Sequence, residues 1–328
     1  MRFSSIGDIV LATSPLKTIR NAFPNGHITF LTLEPFAPLL EYHPDIDAII
    51  PLRKTSSLRY HWQVGKYIDD NHYDFVFDLH HSLRSLLVGL PLKQSILRLK
   101  KPRWKRWLLF QFHYNKFENN FDARYMYHQH LGDIWSDGDS IPRTSLVVTE
   151  QEKKIAMKRT EHAGIGNKYI VLVPGAAWER KQWSFEKYVK LSQSLKENYQ
   201  LDTILLGKNK DSICHQIASQ VPDALNLAGK TDLRQALGIL SNAERVVGSD
   251  TGLVHAAEAL NVPVSMILGP TSVETGAGTI LPDSRNIENP DVWCRPCSQN
   301  GKRPCFRSSQ ICMESISLDD VYQTFSLG

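Results

Sequence analysis

The sequence predicts an α/β protein of two domains, each built around a parallel sheet. Its 328 residues are enough for two cores of ordinary size, and β-rich apolar runs alternate with helix-length segments along most of the chain. A polar, weakly periodic stretch at 136–153 separates two such series. We therefore expect one Rossmann-like domain over residues 1–150 and a second over 151–328, with both sheets facing a central cleft.

The individual elements follow from the spacing of apolar residues and from the turn residues between them. In the first domain this pattern predicts strands at 27–33, 47–52 and 73–79, and helices at 9–23, 35–42 and 58–71. In the second domain it predicts strands at 169–175, 202–207, 245–250 and 262–269, and helices at 185–198, 211–221, 233–243 and 252–260.

Composition narrows the class of protein. Hydrophobic residues make up 42% of the chain and charged residues 22%, as in soluble globular proteins, and the net charge of +4 is too small to favour nucleic acid. No apolar run reaches the ~18 residues of a membrane span, and the first residues do not read as a secretory signal. Five cysteines without such a signal suggest a reducing compartment, so we expect a cytoplasmic protein.

The strongest local signal is the segment VVGSDTGLVHAAEALNVPV at 246–264. A strand ends there, and Asp250, Thr251, Gly252 and Leu253 form the turn into a helix that carries His255. Unpaired N–H groups at a helix start, beside a glycine that admits close approach, suit a diphosphate. The alternative is that Asp250 or Thr251 only caps the helix.

A second candidate follows the predicted strand at 169–173. The turn Pro-Gly-Ala-Ala includes Ala176 and Ala177, and Arg180 and Lys181 come directly after it. Cations at this position can neutralise phosphate charge as a leaving group departs, although a solvated basic loop is the alternative.

The first domain offers its own polar side chains after strands. Asp8 lies in the first strand-to-helix turn, where it is either a general base or a helix cap. His80, His81 and Arg84 follow the strand at 73–79 and are therefore placed to meet a ligand, since Arg84 is able to bind a carboxylate through two hydrogen bonds.

Two further clusters have less specific patterns. The segment RLKKPRWKRWLLFQF at 98–112 is an amphipathic basic stretch that suits contact with anionic headgroups; its basic residues are Arg98, Lys100, Lys101, Arg103, Lys105 and Arg106. Near the carboxyl end, Cys294, Cys297, Cys305 and Cys312 have only part of a zinc spacing. Reduced thiols that pack an irregular loop are the favoured interpretation, so no metal or other cofactor is expected.

Four segments together resemble the heptosyltransferase family, glycosyltransferase family 9. They are RFSSIGDIVLATSPLKTIRNAFP, LVPGAAWERKQW, VVGSDTGLVHAAEALNVPVSMILGPT and WCRPCSQNGKRPCFRSSQICMESIS, and they occur in the family's order. The resemblance implies a GT-B fold with an acceptor domain followed by a nucleotide-sugar domain. It also implies inverting transfer of heptose from ADP-heptose to the inner core of lipopolysaccharide, without an obligatory metal.

The resemblance also assigns roles to residues. The family's catalytic base falls on Asp8, beside Ser5 and Gly7 on the acceptor side, and its lysine near the diphosphate falls on Lys181. The diphosphate turn falls on Asp250–Leu253, with His255 one helical turn further on. Asp211 is a candidate ribose ligand, although Lys208 and Lys210 depart from the family pattern and leave the nucleotide open. A lipid-linked acceptor would place the enzyme at the inner face of the inner membrane.

Three alternatives remain at this point. Family members have an apolar strand of several residues before the Arg-Phe-Ser-Ser segment, so Met1 implies a shortened first strand that would loosen Asp8. That makes a nucleotide-sugar-binding protein with impaired catalysis one alternative to heptosyl transfer, and a glycosyltransferase for another nucleotide sugar is a second. A Rossmann oxidoreductase is disfavoured, because no G-x-G-x-x-G follows a strand.

Overall fold

The computed structural model describes residues 1–55, 57–118 and 121–325. Its strands are β1 (Thr29–Leu33), β2 (Ala48–Leu52), β3 (Val76–Asp78), β4 (Ile96–Arg98), β5 (Tyr169–Val173), β6 (Asp202–Leu205), β7 (Leu225–Asn226), β8 (Arg245–Ser249), β9 (Val264–Ile267) and β10 (Arg285–Ile287). Its helices are α1 (Ile6–Leu11), α2 (Ser14–Ala22), α3 (Leu58–Asp70), α4 (Leu83–Gly89), α5 (Arg103–Phe112), α6 (Ala123–His128), α7 (Glu150–His162), α8 (Phe185–Tyr199), α9 (Ser212–Gln220), α10 (Leu233–Leu240), α11 (Gly252–Ala259), α12 (Ile311–Glu314) and α13 (Leu318–Tyr322).

The chain folds into two compact units. Unit 1 consists of residues 1–102 and 123–147, and unit 2 of residues 103–122 and 148–328. The sequence placed α5 in the first domain, whereas the contacts of the fold group the segment 103–122 with unit 2. None of the described helices is long and apolar enough to span a bilayer.

Unit 2 contains a six-stranded parallel sheet in the order β7-β6-β5-β8-β9-β10. Counted from the first strand of the unit, this is the order 3-2-1-4-5-6 that defines dinucleotide-binding Rossmann sheets. All residues of β5 and β8 are buried, as expected for central strands that are covered by helices on both faces. The strand order reverses between β5 and β8, and ligands of such sheets bind at that switch point.

Unit 1 is also built from parallel strands, but it has fewer described strands than unit 2. Its two strand pairs, β1 with β2 and β3 with β4, are parallel. The segment Met1–Phe3 lies between these pairs: the Arg2 N–H donates to Leu31 O at 3.1 Å, and the Leu79 N–H donates to Met1 O at 3.0 Å. These three residues therefore take the place of a central first strand, and the switch point of unit 1 lies between them and β3.

Two predicted helices differ from the observed elements. The helix expected at 9–23 is divided into α1 and α2, because Pro15 occupies the first turn of α2 and cannot continue α1. The helix expected at 35–42 is a 3₁₀ helix, Glu34–Leu40, with Pro35 near its start and Pro38 inside it. Proline removes backbone donors that a regular α-helix needs, so both differences have the same cause.

A bidentate ion pair joins α7 to α10 in unit 2. Arg234 Nε and Nη2 donate to the two oxygens of Glu152 at 2.8 and 2.6 Å, and Thr149 at the start of α7 also donates to this carboxylate. The bond from Arg234 lowers the pKa of Glu152 from 4.5 to about 2, against an opposing contribution from burial.

We expect Arg234→Gln to lower the free energy of unfolding at neutral pH by about 1–2 kcal/mol, because the pair is bidentate and partly buried. The folded-state pKa of Glu152 lies below its unfolded value, so this contribution is present above pH 4.5 and lost as pH falls towards about 2. Urea unfolding across this range measures it. Lys153→Gln, which breaks only the exposed pair with Glu150, is the control and should change stability by less than ~0.5 kcal/mol.

Candidate active site

The switch point of unit 2 brings together residues from two turns that are far apart in sequence. The turn after β5 leads to a short 3₁₀ helix, Glu179–Lys181, and the turn after β8 leads into α11. Because β5 and β8 are neighbouring parallel strands, both turns emerge at the same edge of the sheet. Lys181 and Asp250 meet there.

Lys181, Asp250 and His255 form a connected ionic cluster. Lys181 Nζ lies 2.9 Å from one oxygen of the Asp250 carboxylate, and it also donates to the Asp250 main-chain carbonyl. The other carboxylate oxygen lies 3.1 Å from His255 Nε2, one turn into α11. All three side chains are nearly buried, so these charges interact with little screening.

The cluster keeps Asp250 ionised. Burial alone raises the pKa of its carboxyl, but the ion pair with Lys181 and the bond from His255 outweigh that effect and hold the pKa far below its ordinary value. An anionic Asp250 in turn fixes the position of the Lys181 ammonium. The free cluster thus holds a cation in place at the edge of the sheet.

The stem of Lys181 is covered by the loop that carries the cysteines. Gly301, with a φ of +77°, packs so closely that an added Cβ would lie 2.5 Å from Lys181 Cγ. Ser298 Oγ accepts from the Gly301 N–H at 3.0 Å, and Gln310 Nε2 donates to the Arg180 carbonyl. These contacts restrict the lysine to the rotamer that points at Asp250.

The start of α11 supplies backbone donors beside this cation. Thr251 is the N-cap, and the first N–H groups of any helix lack intrahelical partners. Its Oγ1 is buried, and no described residue forms a hydrogen bond with it. A lysine ammonium next to the N-terminus of a helix is an arrangement suited to a phosphate group.

The other predicted donor residues lie at the same sheet edge. Ala176 is partly exposed, whereas Ala177 and Arg180 are exposed. The Asp211 carboxylate accepts from the Lys208 N–H at 2.7 Å and lies against Gly175 and Gly207, which follow β5 and β6. Gly175 and Gly207 leave room for this carboxylate, since a Cβ on either would approach it within 3 Å.

Asp8 is anchored within the switch point of unit 1. Its carboxylate lies 2.5 Å from Arg2 Nη2 and accepts from the backbone N–H and the hydroxyl of Ser5 at 3.0 and 2.9 Å. Ser5 is the N-cap of α1 and Asp8 its third residue, so Asp8 takes part in capping from inside the helix and does not occupy the N-cap position. Gly7 is buried in the first turn of α1.

Arg2 controls both the position and the charge of Asp8. Its guanidinium is buried, and Nη1 donates to Leu79 O at 2.7 Å. Burial raises the pKa of Asp8, but Arg2 and the Ser5 hydrogen bonds outweigh burial and leave that pKa below its ordinary value. The side chain of Asp8 is nevertheless 41% exposed, so its carboxylate remains accessible.

The histidines after β3 lie beside this pair. Both backbone N–H groups of His80 and His81 donate to the carboxylate of Asp78. Burial, helped by the charges of Arg2 and Lys101, lowers the pKa of His80 to about 4, so its ring is neutral near neutral pH. His81 Nδ1 lies 2.6 Å from the Leu99 carbonyl. Arg84, in α4, is partly exposed.

The basic stretch is divided by the fold, and four of the cysteines lie near one another in the segment 294–312. Arg98 ends β4 in unit 1, while Arg103, Lys105 and Arg106 lie on α5 in unit 2, where Lys105 pairs with Glu118 at 2.8 Å. Lys100 and Lys101 lie between them. All five cysteines are free, and the described residues contain no group of three His, Cys, Asp or Glu side chains that could hold a metal.

Sequence reasoning missed two residues of these sites. Arg2 comes before the recognisable turn, and its only signal was a cation at the end of an expected buried strand. Gly301 lies in the loop that contains the cysteines, and its only signal in the sequence was its position in a Gln-Asn-Gly turn. Both act through contacts between residues distant in sequence.

The fold and the site define a class of protein. The solved glycosyltransferase family 9 structure from Veillonella parvula matches with a TM-score of 0.80 and 18% identity, covering 99% of this chain and 94% of that one. The E. coli ADP-heptose lipopolysaccharide heptosyltransferase II matches with a TM-score of 0.72 and 21% identity, covering 99% and 98%. The chain therefore has the GT-B fold of the glycosyltransferases.

Residues 61–305 match glycosyltransferase family 9 (heptosyltransferase), and the chain belongs to this family. The match includes Lys181 and the Asp250–His255 segment. Lipooligosaccharide heptosyltransferase 2 of Haemophilus influenzae is 28% identical over 286 residues, which cover 82% of each chain. The protein is a glycosyltransferase.

If Gly301 positions Lys181 by contact, Gly301→Ala should lower the free energy of unfolding by more than backbone strain alone would. Gly164, with a φ of +85° and no atom within 4 Å of an added Cβ, is the matched control. We expect Gly164→Ala to lower the unfolding free energy by about 1 kcal/mol, and Gly301→Ala by about 1–3 kcal/mol more. Urea unfolding measures both, and equal losses would contradict the contact.

Proposed function

We propose that the protein transfers heptose from ADP-heptose to an inner-core acceptor of lipopolysaccharide, with inversion at the anomeric carbon. One observation carries this proposal: a buried lysine is held at the N-terminus of α11, at the switch point of a nucleotide-binding sheet. Support also comes from the relatives that are described as lipopolysaccharide or lipooligosaccharide heptosyltransferases.

The donor diphosphate would bind in unit 2. The N–H groups at Thr251, Gly252 and Leu253 face its oxygens, and the Lys181 ammonium neutralises the charge that grows on the leaving ADP. Without a donor, the Lys181 ammonium is paired with the Asp250 carboxylate. Donor binding must therefore share or replace that ion pair. His255 then keeps its contact with the second carboxylate oxygen of Asp250. Ala176, Ala177 and Arg180 line the approach, and Asp211 is the candidate ribose ligand.

The acceptor would bind in unit 1. Asp8 takes the proton of the acceptor hydroxyl while that oxygen attacks the anomeric carbon and the bond to the diphosphate breaks. This direct displacement inverts the anomeric centre and releases ADP. The lowered pKa of Asp8 makes it a weak base that is ionised at neutral pH, so proton transfer accompanies attack rather than preceding it. Ser5, Gly7, His80, His81 and Arg84 are the proposed acceptor contacts.

We place the enzyme in the cytoplasm, peripheral at the inner face of the inner membrane. The proposed acceptor is anchored there through its lipid. The basic residues between Arg98 and Arg106 would then face anionic headgroups or acceptor phosphates, which attract cations within a Debye length of the surface.

Donor identity is tested by thermal shift. ADP and ADP-heptose should raise the melting temperature, because the turn at Asp250–Leu253 binds diphosphate only in the folded state. Lys181→Ala should reduce the shift, whereas Lys190→Ala, a lysine on α8 outside the site, should not. Stabilisation by UDP or GDP but not by ADP would replace the heptosyl assignment with another nucleotide sugar.

The role of Asp8 is tested with Asp8→Asn, which keeps an acceptor oxygen for Ser5. Transfer should fall roughly 10²- to 10⁴-fold, the usual contribution of a positioned base, while ADP binding persists. The control is Asp320→Asn, which alters the equivalent capping contact of α13, where Asp320 accepts from the Ser317 N–H at 2.7 Å. Full transfer by Asp8→Asn would leave Asp8 with a capping role only.

The pH dependence gives a second test of this base. Since Arg2 lowers the pKa of Asp8, wild-type transfer should persist below the ordinary range of aspartate, and Arg2→Met should move the acid limb to higher pH. A purely structural Arg2 would reduce the rate at every pH without moving the limb. Nucleotide binding without transfer in any form of the protein would identify a binding protein instead.

A further inference from the structure

Helix α5 exposes aromatic side chains that a soluble helix would normally bury. Trp104, Trp107 and Phe112 are 67%, 44% and 63% exposed, whereas Leu109 on the same helix is buried. The rings contact one another: Trp104 stacks on Trp107 at 4.7 Å between centroids, and Trp107 meets Phe112 edge-on at 5.1 Å. Such contiguous exposed apolar surface is characteristic of a binding face.

The same surface continues onto the loop that follows β10. Trp293 and Phe306 are 63% and 67% exposed and lie 5.9 Å apart. His113, directly after α5, meets Trp293 edge-on at 6.0 Å. We call the set of Trp104, Trp107, Phe112, Trp293 and Phe306 the aromatic ridge.

The two segments of the ridge are tied together within unit 2. Arg303 donates from Nη1 to the Phe110 carbonyl and from Nη2 to Gln111 Oε1, each at 3.1 Å. Both bonds reach the last turn of α5. The ridge is therefore one surface that belongs to a single compact unit.

Cations surround the ridge. Residues 103–122 and 293–312 contain eight Lys or Arg and two acidic residues. Arg295 is buried in an ion pair with Glu288, but the other seven cations still give these segments more net positive charge than the whole chain, whose net charge is +4. The Arg307 guanidinium lies over the rings of Trp293 and Phe306, at 5.3 and 6.0 Å from their centroids. Arg103 is exposed beside Trp104.

We propose that the aromatic ridge docks unit 2 onto an anionic bilayer. The rings would lie at the depth of the headgroups, and the Lys and Arg side chains around the ridge would contact lipid phosphates. Tryptophan favours that depth because its ring is apolar and its N–H is polar. Helix α5 has ten residues and three cations, so it suits a position along the surface rather than across the membrane. The positive charge around the ridge favours an anionic membrane as the binding partner.

The inference refines the proposed peripheral location by adding the aromatic rings and the loop at 293–307 to the basic residues of α5. Its test needs neither donor nor acceptor, so its failure would not affect the proposed transfer. Transfer could equally fail while docking holds.

The experiment measures co-sedimentation of the full chain with vesicles of equal parts phosphatidylcholine and phosphatidylglycerol. We expect binding to these vesicles, little binding to phosphatidylcholine alone, and weakening by salt. Trp104→Ser/Trp107→Ser should raise the lipid concentration for half-binding by about 10-fold or more, because two rings no longer leave water. Arg103→Gln/Arg307→Gln should weaken binding chiefly at low salt.

The control is Trp62→Ser/Tyr67→Ser, which removes two aromatic residues of α3 that are 46% and 54% exposed. It should bind vesicles as the wild type does. Circular dichroism and the melting temperature check the fold, and Phe306→Ser tests the ridge from the loop if the α5 variant unfolds. Unchanged binding by a folded ridge variant would overturn the proposal. The proposal would also be overturned if light scattering showed that the wild type is a dimer and that the ridge variant, but not the control variant, is a monomer.

Discussion

The candidate site of unit 2 is built around the ion pair between Lys181 and Asp250. A buried carboxylate and a buried ammonium are each costly alone, and removing one partner leaves the other uncompensated. Here both are held by the edge of the central sheet, and His255 satisfies the second carboxylate oxygen. The order of strands β5 and β8 makes this meeting possible, because it places two turns side by side that are some seventy residues apart in the chain.

The same ion pair shapes ligand binding. An empty phosphate site that contained only Lys181 and the start of α11 would have strong unbalanced positive charge. Asp250 balances that charge, so the proposed donor site is ordered in the free protein, and a donor diphosphate would share or replace an anionic partner that Lys181 already has. The loop around Gly301 completes this preorganisation from the outside, through packing on the lysine stem rather than through charge.

Sequence predicted those features that depend on local pattern. The alternation of strands and helices, the Asp250–Leu253 turn and the position of Lys181 after β5 all follow from residues that are close in the chain. Arg2 and Gly301 do not, because their partners are chosen by the folded sheet and by a distant loop. The division of the first helix at Pro15 was visible in the sequence, but the apolar spacing through 9–23 outweighed it. The assignment of α5 to a unit also depends on distant contacts, such as those of Arg303.

The segment Met1–Phe3 has a consequence for how unit 1 behaves over time. It is the backbone seam between β1 and β3, whose bonds close loops of about thirty and about seventy-five residues. Its residues also lead directly into Asp8 and include Arg2. A transient opening of this seam would therefore separate the two strand pairs and release the carboxylate in a single event. Opening of the seam and loss of the Arg2–Asp8 ion pair would then be one motion in unit 1, and exchange of the seam amides with solvent would report how long that ion pair lasts.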